Sequence, residues 1–131
     1  MRIFIESAIK DKNNLVTITG KTKIGNLSGI WKSNIEPVIG EDYDVELTLP
    51  PLCGNSIAVL EPNLQPMVIV KPNDKILFRG RCEMIDEDDV YIIRFDTNWI
   101  EMVEFESENV KINDVIEFLL SVDQIEVYPV N

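Results

Sequence analysis

Histidine is absent from all 131 residues. Without an imidazole the chain holds no Ser-His or Cys-His nucleophilic pair and no His-ligated metal site of its own. Cysteine is scarce, with Cys53 and Cys82 the only two. Two thiols cannot supply the four ligands of a structural zinc site. In a chain without a visible signal peptide they read as reduced thiols packed as small core residues. Long apolar runs are also missing, so no segment has the length to span a bilayer. Near the N-terminus Glu6 and Lys10 interrupt any apolar stretch, which argues against a secretory signal and for a cytoplasmic protein. The Asn26-Leu27-Ser28 sequon then carries no meaning for glycosylation. Thr19-Gly20-Lys21-Thr22 looks like the end of a phosphate-binding loop, but Leu15 stands where that motif needs its first glycine. Gly20 therefore reads as a turn residue.

Basic residues are few, and they are unevenly placed. The formal net charge is -11, from 12 Lys and Arg against 23 Asp and Glu. Up to Cys82 there are ten basic and nine acidic residues. From Glu83 onward only Arg94 and Lys111 face fourteen acids. A field of that sign repels phosphate backbones and anionic headgroups, so direct binding to nucleic acid or membrane is disfavoured. A basic protein partner, or plain solubility, is favoured.

What the chain does contain is a dense series of strand signals. Ile3, Ile5 and Ile9 recur at even spacing and mark a strand over 2–10. The Asp11-Lys12-Asn13-Asn14 turn returns the chain as a hairpin through Leu15–Thr19. A short strand is expected near Asn26–Lys32. In Tyr43–Leu49 apolar Tyr43, Val45, Leu47 and Leu49 alternate with Asp44, Glu46 and Thr48, the pattern of an antiparallel sheet wet on one side. Pro50-Pro51 ends that strand. Ile57–Leu60 and Met67–Val70 follow. Lys75–Ile85, Val90–Phe95 and Trp99–Phe105 form a meander across the turns at 86–89 and 96–98, with Gly80 marking a bulge or bend. Residues 113–121 fit a helix begun at Asn113, or the stretch reads as two short strands around an Asn113-Asp114 turn, and the strand reading is preferred. Ile125–Val130 closes the chain, with Pro129 indicating an edge or a terminus. The expected fold is therefore all-β, or mainly β with one short helix. It is a single domain over 1–131, an antiparallel small barrel or sandwich.

Candidate functional residues fall into three groups. Glu83, Asp86, Glu87, Asp88, Glu104, Glu106 and Glu108 are expected to share one acidic surface, since Glu104 and Glu106 have one strand parity and the 86–89 turn lies beside them. Trp99 is the aromatic residue that would anchor a partner there. The bland alternative is a solvated face that keeps the protein soluble. Trp31, Tyr43 and Trp99 are the aromatics for a ligand at a barrel mouth, with core anchoring as the simpler role. Asp44 and Glu46 are the best-placed carboxylates for acid-base chemistry, and solvent exposure is their ordinary fate. Asp86-Glu87-Asp88-Asp89 lacks the ligand spacing and central glycine of an EF-hand loop. No motif implies a metal or another cofactor.

In being small, acidic and without visible catalytic machinery, the chain resembles bacterial immunity proteins in general character. The likeness covers size and composition. It implies a non-enzymatic protein that binds, and thereby neutralises, a basic toxin domain of nuclease type. A small-ligand or carbohydrate-binding barrel is the second expectation and a carboxylate-based hydrolase the third.

Overall fold

The structure is a computed structural model and describes residues 1–130. Its eleven strands are β1 (Arg2–Lys10), β2 (Val16–Thr22), β3 (Gly25–Trp31), β4 (Asp42–Thr48), β5 (Ala58–Leu60), β6 (Met67–Lys71), β7 (Lys75–Ile85), β8 (Val90–Asp96), β9 (Trp99–Glu104), β10 (Val115–Ser121) and β11 (Glu126–Pro129). Three single turns of 3-10 helix are the only helical elements among the described residues. The all-β expectation holds, and the 113–121 stretch is strand rather than helix: a turn at Asn113 leads into the one strand Val115–Ser121, with no second short strand before the turn among the described residues. Asn113 takes a left-handed conformation, with φ of 77°, which Asn tolerates better than most residues and which turns the chain into β10.

Five strands close a barrel in the order β1-β2-β3-β11-β4 and back to β1. The closure is not wholly antiparallel. β3 and β11 run parallel, with Glu126 opposite Ile30 and Val127 opposite Trp31. β3 also meets β6 in parallel at Gly25 and Val68. From there the sheet leaves the barrel through β6, β7, β10 and β5, while the far half of β7 pairs with β8 and β8 with β9. The 75–105 meander is thus present, built onto the barrel wall.

A continuous apolar core runs through both parts. Ile3, Ile5, Ile18, Leu27, Val45 and Val127 fill the barrel, and Phe78, Phe95, Phe118, Ile93 and Val103 fill the extension. Phe78 stacks on Phe118 with centroids 5.3 Å apart and meets Phe95 edge-on at 5.8 Å. Phe95 in turn lies against Trp99 at 5.0 Å. These rings bind β7, β8, β9 and β10 into one unit.

Several local expectations are corrected. Gly20 lies inside β2, not in a turn. A Cβ there would stand 2.4 Å from the Phe4 carbonyl oxygen and 2.7 Å from Ile3 Cγ1, so glycine is needed for the close approach of β1. Ile9 is 68% exposed although it shares parity with Ile3 and Ile5. A bulge between Ile5 and Ser7 adds one residue and reverses the faces beyond it. The bulge of β7 lies between Cys82 and Met84 rather than at Gly80. Gly80 instead admits Ile93 and Phe95 of β8 against its bare Cα. Pro129 ends β11, but β11 is no edge strand, because β4 and β3 flank it. Of the two thiols Cys82 is buried as expected, while Cys53 is exposed.

Candidate functional site

Two regions gather polar chemistry, at opposite ends of the β7–β8–β9 meander. The first is the tip of the β7–β8 hairpin. Asp86 caps the turn by accepting a hydrogen bond from the Glu87 backbone N–H at 2.8 Å. Asp88 and Asp89 both adopt left-handed backbone conformations, a conformation these short polar residues accept. The chain then enters β8, and Phe105 at the end of the returning strand donates its N–H to the Asp89 carbonyl. That register sets Asp88, Asp89, Glu104 and Glu106 around one shallow depression, with the 51–54 loop as its other wall. Glu106 and Glu108 border a neighbouring depression with Asp89. All of these carboxylates are exposed. Among the described residues none of them takes part in an ion pair.

Two of the expected residues stand apart from this tip. Glu83 occupies the β7 bulge and pairs with the Arg94 guanidinium, so its charge is neutralised locally. That pair also holds the guanidinium above its ordinary pKa. Trp99 begins β9, five residues from Glu104, which is roughly 17 Å along an extended strand. Its ring is only 4% exposed. It is a core residue and does not reach the acidic tip.

The second region is a groove of about 520 Å³ between β4 and β9, bordered by Glu46, Leu47 and Leu49 on one side and by Trp99, Ile100, Glu101 and Met102 on the other. Glu101 is the residue that sequence reading did not single out. It shares the inner face of β9 with Trp99 and Val103, so its carboxylate is drawn inward and half-buried. The Trp99 indole N–H donates to it at 2.7 Å. Burial, reinforced by the negative charge of Glu46, pushes its pKa up to about 7 against the lowering effects of that hydrogen bond and of the nearby N-terminal ammonium. Its signal in the sequence was the single acid on the apolar parity of Trp99–Phe105, between Trp99 and Val103. An acid that titrates near neutrality can donate or accept a proton at working pH, and it can also take up a cation.

The aromatics expected at a barrel mouth are occupied otherwise. Trp31 is 5% exposed, and its indole N–H donates to the Ile35 carbonyl. Tyr43 packs edge-on against Trp31, and its hydroxyl accepts from the Val38 N–H. Neither Trp31 nor Trp99 offers a free ring face for sugar stacking. Asp44 and Glu46 are exposed on β4. Asp44 borders a cleft that also holds Arg2, Lys23 and Asp96, and Glu46 borders the groove beside Glu101. Among the described residues no cluster of acids and thiols has the grouping of a metal site, and no helix is long and apolar enough to cross a membrane. Comparison with known proteins finds no family model, no curated protein and no solved structure that matches this chain.

Proposed function

We propose that the chain is a non-enzymatic binding protein whose acidic hairpin tip docks a basic partner protein. The observation that supports this most is the tip itself. Asp86, Glu87, Asp88 and Asp89 of one turn and Glu104, Glu106 and Glu108 of another segment meet there, exposed and without cationic partners among the described residues. Like charges held together at a surface repel one another, and that repulsion is relieved when a cationic surface covers them. A partner whose own cleft is built for phosphate groups would find carboxylates at the positions that phosphate oxygens fill. A toxin domain of nuclease type has that chemistry, and occluding its cleft would neutralise it.

Such binding is steered at long range. With an affinity-purified partner, association at about 50 mM salt should be at least ~10-fold faster than at 500 mM, since charges are screened beyond about 8 Å at physiological ionic strength. A variant with Glu104, Glu106 and Glu108 changed to glutamine should lose most of that salt dependence. If its on-rate matches that of the wild type across the whole range, the tip serves only solubility.

A further inference from the structure

The groove between β4 and β9 is flanked by two strand edges whose ladders stop short. On β4 the last bonds to β1 are exchanged with Met1: Val45 donates to the Met1 carbonyl at 2.8 Å, and the Met1 nitrogen donates to the Val45 carbonyl at 3.1 Å. Backbone groups alternate in direction along a strand. The next main-chain pair facing the same way is therefore that of Leu47, while Glu46 and Thr48 face β11. On β9 the bond from Phe105 to Asp89 fixes the alternation. Val103 and Glu101 face β8, and Met102 and Ile100 direct their N–H and C=O groups to the outer edge. That edge already carries one rung at its far end, where the Leu52 N–H donates to the Glu104 carbonyl at 2.8 Å. Beyond it, Met102 and Ile100 make no further backbone bond of this kind among the described residues.

The side chains at the two edges have a definite character. Met102 is 71% and Ile100 46% exposed, giving an apolar wall. Glu46 and Glu101 border the same groove, and so does the Met1 ammonium, which donates to the Val45 carbonyl. Neither acid has a cation within ion-pair distance among the described residues, so two negative charges face one positive. Open main-chain donors and acceptors fit an extended peptide. Apolar side chains beside two acids fit alternating apolar and cationic residues.

We propose that this groove binds an extended segment of a partner protein by strand addition, and that Glu46 and Glu101 select a segment carrying lysine or arginine. The site is separate from the acidic tip and stands or falls independently of it.

The probe is a capped, fluorescent eight-residue peptide of alternating valine and lysine, titrated by anisotropy at about pH 8. Saturable binding is expected. It should weaken at least ~10-fold when the lysines are replaced by glutamates, and vanish when alternate peptide nitrogens are methylated. The double variant Glu46→Gln and Glu101→Gln should lose ~10-fold in affinity for the lysine peptide. The tip variant in Glu104, Glu106 and Glu108 should bind it as the wild type does. Met102→Pro removes a donor that β8 does not use, so it should abolish binding with little change in thermal unfolding. If that variant fails to fold, the methylated peptide decides the same point without altering the protein. Absence of saturation at ~1 mM, equal binding of the glutamate peptide, retention by the methylated peptide, or loss of binding in the tip variant would each overturn the proposal.

Discussion

At the scale of the residue, Glu101 is the group with the largest consequence. Its pKa stands near 7 in the fold, against 4.5 for an ordinary glutamate. Below about pH 4.5 it is protonated in both folded and unfolded chains. Between these two values the folded chain holds a proton that the unfolded chain has released. Stability therefore falls as pH rises through this window, and the loss is complete above pH 7. Glu101→Gln keeps an oxygen for the Trp99 indole and carries no charge. It should raise stability at pH 8 by roughly 1–3 kcal/mol, discounted for the partial exposure of the side chain, and leave it nearly unchanged at pH 4. Urea denaturation at the two pH values measures both. A gain of equal size at both would show that ionisation of Glu101 is not the cause. Gly20 is the second such position. Gly20→Ala places a Cβ against backbone and should cost about 1–3 kcal/mol by overpacking, read as a lower urea midpoint with an unchanged slope.

At the scale of the element, β10 shows how parity governs a strand that was open to two readings. Ile112, Val115, Ile116, Leu119 and Leu120 have helical spacing, yet β10 sits between β7 and β5, with Leu120 opposite Ile76 and Ile116 opposite Val59. Leu120 is buried and its neighbour Leu119 faces solvent. Leu119→Lys should therefore change stability by less than about 0.5 kcal/mol. Leu120→Lys should prevent folding at 25 °C, because it buries an unpaired ammonium. Circular dichroism of the two variants checks the pair, and similar damage from both would contradict the strand assignment. The bulges act at the same scale. The one after Ile5 turns Ile9 outward, and the one after Cys82 sets Glu83 against Arg94 and so removes it from the acidic surface. A single inserted residue leaves no mark in an alternation pattern until the partner strand is known.

At the scale of the whole molecule, charge is distributed by end rather than by face. The segment from Glu83 onward carries fourteen of the 23 acids, and the hairpin tip concentrates half of those fourteen: Asp86, Glu87, Asp88, Asp89, Glu104, Glu106 and Glu108. With a sequence pI near 4.3, solubility should pass through a minimum close to that pH and recover on either side. Turbidity across pH 3–8 tests this. The minimum should move upward in the variant with Glu104, Glu106 and Glu108 changed to glutamine, because fewer acids remain to offset the same bases.

Some of this protein was legible in the chain alone. Alternation in Tyr43–Leu49 and Trp99–Phe105, together with Asn and Asp at the turns, was enough for the strands, the meander and the all-β class, because those signals are local and the side-chain period of a strand is two. The acidic bias and the histidine-free chemistry were equally plain, since composition needs no geometry. The tertiary structure alone decided the rest. The parallel β3–β11 closure joins residues about a hundred positions apart. Glycine at 20 and 80 answers to neighbours on other strands. Whether Trp99 anchors the core or faces a partner was open in the sequence, and its packing against Phe95 decides for the core, with Glu101 beside it half-buried. The groove between β4 and β9 exists because two ladders end where they do. Each of these depends on which strand lies beside which, and non-local pairing is set by the packing of the whole core rather than by any window of the sequence.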